Sequence, residues 1–126
     1  MVHEGHQLPF EEQYAQLPEV VHNYLQHVRV QKRLADRTHT LYALDLIKLQ
    51  QFAQQAGQEL LALQPQHIRR FAAQMHSAGR SPRGIALILS GWRSFFRWAA
   101  QQELVPFNPV EGVRGPKATK PLPTVL

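Results

Sequence analysis

The sequence contains no cysteine, which excludes disulfide scaffolds, thiolate metal sites and cysteine nucleophiles. No stretch approaches the roughly 18–20 consecutive apolar residues that a membrane span requires. Residues 1–28 hold no Lys or Arg and no apolar run follows them, so nothing there resembles a signal peptide and the cytosol is the expected location. Strands are not expected either: β-branched residues are sparse and no alternating run is bounded by turn signals. There is no repeat at a fixed period. The seven histidines do not form a metal pattern, because His3 with His6 and His22 with His27 lack i,i+4 spacing and no His-Glu-x-x-His occurs. With no Gly-rich phosphate loop and no Ser-His-Asp arrangement, neither a cofactor nor a stand-alone enzyme is expected.

What is present is one domain's worth of chain, 126 residues with an ordinary apolar fraction of 44%. The formal net charge of +5 is unevenly spread. Residues 1–28 carry Glu4, Glu11, Glu12 and Glu19 and sum to −4; all 14 cations lie in residues 29–126, against Asp36, Asp45, Glu59, Glu103 and Glu111. A basic domain with a sequence pI near 10.1 favours a polyanionic partner, nucleic acid before membrane surface.

The periodicity predicts four helices, at about 18–33, 37–55, 65–78 and 82–102. Pro18, Asp36, Pro65 and Ser81-Pro82 are the start signals, and Gly57 and Gly79 are stop signals. Residues 1–16 read as a flexible tail and 17–105 as the domain. Residues 106–126 read as an extended linker, since they hold five of the nine prolines together with Arg114, Lys117 and Lys120.

The last helix is the most informative. At 100° per residue from Arg83, the residues Ile85, Ile88, Leu89, Trp92, Phe95, Phe96 and Ala99 fall on one apolar face. Arg83, Ala86, Ser90, Arg93, Ser94 and Arg97 fall on the opposite side. No acid occurs between Glu59 and Glu103, so these cations have no i,i+4 partner on their own helix. Arginines separated by small residues suit close approach to phosphates and base edges in a major groove. On the second helix Leu41, Tyr42, Leu49, Phe52 and Ala56 share a face, with Arg37, Thr40, Lys48 and Gln51 on the other side. Thr38 and His39 sit at its N-terminal turn, where free backbone N–H groups favour an anion. Asp45 falls within the apolar face and is expected to bind an arginine, with Arg93 the candidate, or backbone N–H groups. Its role, like that of Tyr42, Trp92 and Phe95, is structural. Tyr14, Tyr24 and Tyr42 have no basic cluster that would make any of them a nucleophile.

Those residues carry a resemblance. Arg33-Leu34-Ala35-Asp36-Arg37-Thr38, then Leu41-Tyr42 and Asp45-Leu46, resemble the opening of the core-binding domain of tyrosine recombinases of the XerC and XerD type. Ile68-Arg69-Arg70-Phe71 is similar to the family's third helix. Arg80-Ser81-Pro82-Arg83, Leu89-Ser90 and Arg93-Ser94-Phe95-Phe96-Arg97-Trp98 are similar to its fourth, and Asn108-Pro109, Pro116-Lys117 and Leu122-Pro123 to its linker. The resemblance covers roughly residues 18–126. It departs from the family at Ala35, Gly84, Leu87, Ile88 and Gly91.

The resemblance implies an all-α, SAM-like bundle of four helices, one jaw of a clamp around a recombination half-site. Double-stranded DNA is then the partner, with a second recombinase protomer on the DNA and a monomeric chain off it. The DNA-facing set is Arg37, Thr38, His39, Lys48, Arg80, Ser81, Arg83, Ser90, Arg93, Ser94, Arg97, Lys117 and Lys120. The family's catalytic Tyr, Arg, Lys and His residues follow the linker, so this chain is expected not to cleave DNA. Chromosome dimer resolution is the favoured setting. The rival reading is a helical protein-interaction module, in which Trp98 could anchor a partner; salt dependence of binding discriminates the two.

Overall fold

Helix boundaries follow the local chemistry of proline, serine and glycine in a computed structural model that describes residues 8–117. The elements are α1 (Phe10–Ala15), α2 (Glu19–Lys32), α3 (Asp36–Gln55), a 3-10 turn (Leu60–Ala62), α4 (Pro65–Ser77) and α5 (Pro82–Gln101). Ser81 caps α5 by accepting a hydrogen bond from the Gly84 N–H, and Pro82 fills the first helical position. Gly57 and Gly79 take positive φ just beyond α3 and α4. In α2 and α5 the same left-handed exit is made by Arg33 (φ 51°) and Glu103 (φ 61°).

Asp36 does not cap α3. Ala35 occupies the N-cap with no side-chain hydrogen bond, and Asp36, the first helical residue, instead ion-pairs with Arg29 of α2. Both partners are solvent-accessible, so the pair fixes the α2–α3 corner more than it stabilises it.

The α5 helix is the central post. It packs against α2, α3 and α4, while α3 also meets α1 and the 3-10 turn. Every apolar residue that the wheel placed on the inner face of α5 is buried, as are Ile68, Phe71, Ala72 and Met75 of α4. Aromatic pairs tie the layers: Phe52 stacks on Phe71 at 4.9 Å, and Tyr24 meets Phe95 edge-on at 5.3 Å.

The inner face of α3 is rotated from the one expected. Its buried residues are Ala43, Leu46, Ile47, Leu49 and Ala53; Leu41 is exposed, and Tyr42, Phe52 and Ala56 are half-buried. Two of the five buried positions are the small Ala43 and Ala53, while the bulky Leu41 and Leu44 face solvent.

Two terminal segments also differ from expectation. The tail forms a helix, α1, whose Tyr14 lies against His22 at 4.7 Å. The segment after Gln102 is not extended away from the bundle. Val105, Pro109, Val110 and Val113 are buried, and the chain folds back along α5 as a strap. The Asn108 side-chain amide donates to the Arg93 carbonyl (3.0 Å), and its Oδ1 accepts from the Val110 N–H (2.9 Å). The Arg93 guanidinium donates to the Val113 carbonyl at 3.0 Å. A Cβ on Gly115 would stand 3.2 Å from Ile85 Cγ2, so the strap reaches the first turn of α5.

Candidate nucleic-acid interface

The α3 and α5 helices cross with Asp45 between them. Gly91 makes the approach possible, since a Cβ there would stand 2.6 Å from Asp45 Oδ2. The Trp92 indole N–H donates to the Asp45 backbone carbonyl at 2.8 Å, which satisfies the one polar atom of a fully buried ring. Cavities open on either side of Asp45. One, of about 370 Å³, is lined by Leu41, Leu44, Lys48 and Arg80 among others. The other, of about 200 Å³, is lined by Tyr42, Leu87, Ser90, Gly91 and Ser94 among others.

Of the expected DNA-facing residues, Arg37, Arg80, Ser81, Arg83, Ser90 and Arg97 are exposed, while Thr38, Lys48 and Ser94 are half-buried. The structure brings Lys48 and Arg80 to one cavity wall and Ser90 and Ser94 to the other. Two of the expected residues turn elsewhere. Arg93 is half-buried and holds the strap through Val113, so it is not the partner of Asp45. His39 packs toward Tyr14 of α1 (6.2 Å between ring centroids). Burial and the nearby Arg29 lower its pKa against the pull of Asp36, which favours the neutral imidazole. Lys117 is exposed at the end of the strap, and Lys120 lies outside the described residues.

Neither Arg93 nor another cation is within ion-pair distance of Asp45 among the described residues. Burial raises its pKa from 3.8 to about 6, against the attraction of Lys48 and then Arg80. Lys48 is pushed down by burial and by Arg80, with Asp45 opposing. Two cations thus share a partly desolvated wall with one acid.

The raised Asp45 pKa has a definite sign for stability. A carboxyl that holds its proton more tightly when folded favours the native state at low pH, and that contribution is lost as pH rises from about 4 through about 6. Asp45→Asn is therefore expected to stabilise the domain at pH 7. The full shift corresponds to ~3 kcal/mol, which water at the open side of the groove reduces to ~1–2 kcal/mol. Thermal melts of both proteins from pH 4 to 8 should show the gain vanish near pH 4; a gain that persists there would assign it to packing instead.

Three leucines on this face escaped the sequence reading or were misplaced by it. Leu87 is 66% exposed, Leu41 55% and Leu44 42%. For Leu87 the signal existed, because it falls about 40° from Arg83 on the polar side of the helical wheel.

The arrangement just described, an all-helical bundle with a cationic crossing of two long helices, has relatives. The family model for "Phage integrase, N-terminal SAM-like domain" matches residues 21–103, and the chain belongs to that family. Among curated proteins it is 43% identical over 106 residues to "Tyrosine recombinase XerC 1" of Ralstonia nicotianae, an alignment that spans 82% of this chain and 32% of that protein. It is 42% identical to "Tyrosine recombinase XerC" of Ralstonia pickettii over the same shares, and 33% identical to that of Pseudomonas putida over 82% of this chain and 35% of the relative. The chain therefore spans about a third of the length of the curated relatives it matches. No solved structure matches.

Proposed function

We propose that this chain is the DNA-gripping jaw of a tyrosine recombinase and that the α3–α5 face lies against duplex DNA. One observation carries the reading: Lys48 and Arg80 line a cavity beside Asp45, exposed Arg83 and Arg97 share the α5 stripe of Ser90, exposed Arg37 precedes Leu41 by one turn on α3, and Asp45 is the one acid lining either cavity there among the described residues. A cation-rich face with a single half-buried acid favours a polyanion, and Ser90 and Ser94 are short donors that keep the backbone near it. On this reading Arg83 and Arg97 take phosphates or guanine edges, while Lys48 and Arg80 take a phosphate beside Asp45. Arg93 serves the strap and drops out of the contact set.

Titration with a short duplex tests it. Amide shifts are expected on residues 37–48 and 80–97, with micromolar or weaker affinity and a log–log salt slope near −5 if about six phosphates are neutralised. Absent or scattered shifts at low salt would transfer the function to protein contact. No strand breakage is expected, because the reading assigns cleavage to another part of the recombinase. In the cell the proposal places the chain in the cytoplasm, in chromosome dimer resolution.

A second surface favours a protein partner alongside the DNA. Leu104 (45% exposed) and Phe107 (47% exposed) lie in the segment just after α5 and suit contact with a neighbouring protomer on DNA.

A further inference from the structure

Leu87, Leu41 and Leu44 are large apolar side chains held in solvent among arginines and serines. Fully exposed leucines are common singly, but these three flank one feature: Leu41 and Leu44 line the cavity on one side of Asp45, and Leu87 lines the cavity on the other. Leu87 lies one turn from Arg83 and Ser90 on the exposed stripe of α5, and Leu44 lies one turn from Lys48 on α3. A cationic side chain at any of these positions would strengthen phosphate binding; leucine adds nothing to it. The chemistry that leucine does add is contact with an apolar group presented within a polyanion. In duplex DNA that group is the thymine 5-methyl, which projects into the major groove.

We infer that Leu87, supported by Leu41 and Leu44, reads thymine methyl groups, and that the domain prefers A·T-rich duplex because of it. The inference rests on the α3–α5 face being the DNA face. The surrounding positive charge selects this occupant over an apolar protein surface, which would have to desolvate Lys48, Arg80 and Arg83 to reach the leucines.

The test uses the whole 126-residue chain and two duplexes of the same alternating A·T sequence, one with thymine and one with uracil throughout, so that only the 5-methyl groups differ. The thymine duplex is expected to bind about fourfold more tightly for each methyl contacted, the equivalent of burying one methyl group. Leu87→Ala should shrink that ratio toward one while changing the uracil affinity and the salt slope little. Because position 87 is exposed, folding should survive the substitution, and circular dichroism checks it. Equal, salt-dependent binding of both duplexes by the parent chain overturns methyl reading and leaves the DNA face standing. Failure to bind either duplex at low salt overturns both. Loss of self-association on Leu87→Ala, with the thymine preference unchanged, assigns the leucines to a second copy of the chain and also overturns the inference.

Discussion

A chain truncated after Gln102 is expected to be ~4–6 kcal/mol less stable than one truncated after Lys117. The first cut removes Val105, Pro109, Val110 and Val113, all buried, and uncovers the side of α5 that they roof. Each valine is worth about 1.5–2 kcal/mol when fully buried. Against the 5–15 kcal/mol typical of a domain, that loss is a large fraction of the total and would unfold a domain at the lower end of the range. Urea melts of the two truncations decide the matter: if the shorter chain unfolds within about 1 kcal/mol of the longer, the strap is only loosely laid on the bundle. Asn108→Ala is the finer probe. It deletes the donor to the Arg93 carbonyl and the acceptor for the Val110 N–H while leaving every valine in place. A cost of ~1–2 kcal/mol is expected, because two partners lose their hydrogen bonds in a partly buried place.

The second large effect concerns binding. Reversing both Arg83 and Arg97 to Glu should weaken duplex binding by at least ~30-fold at low salt and lower the magnitude of the log–log salt slope by about two. Both side chains are exposed, so folding should be unaffected. The matched control is Arg69→Glu with Arg70→Glu: these are equally exposed arginines, but on α4, outside the α3–α5 crossing. If both pairs of reversals weaken binding equally, the interaction is diffuse attraction to a basic protein, and the proposed face has no privilege.

How far the sequence revealed this depended on what held each element together. α2, α4 and α5 were legible because bulky residues repeat at helical spacing between proline, serine and glycine signals. α3 was legible in extent but not in rotation, since its inner stripe relies on Ala43 and Ala53 while Leu41 and Leu44 face outward. The strap was misread for a different reason. Its valines are separated by Pro, Asn, Glu and Gly with no period, and side chain-to-backbone bonds from Asn108 and Arg93 order it, in place of a ladder that a pattern could reveal. Six-residue α1 is too short to show a period at all.

The candidate site was legible in its charges and illegible in its geometry. The absence of acids between Glu59 and Glu103 exposed the arginine stripe directly. That Arg93 serves the strap, that His39 turns to α1 and that Gly91 admits the Asp45 carboxylate all depend on helix crossings that a single sequence does not encode locally. Gly91 is where α5 makes room for a half-buried acid.

The strap also decides where the polypeptide leaves the domain. An α5 that simply ended at Gln101 would release the chain at the far end of the bundle. The return past Val110 and Val113 carries it back beside Ile85, roughly 24 Å along the helix axis at 1.5 Å per residue. The described chain therefore ends beside the start of α5, on the flank of Ile85 and Leu89, so the strap ties the two ends of the helix together.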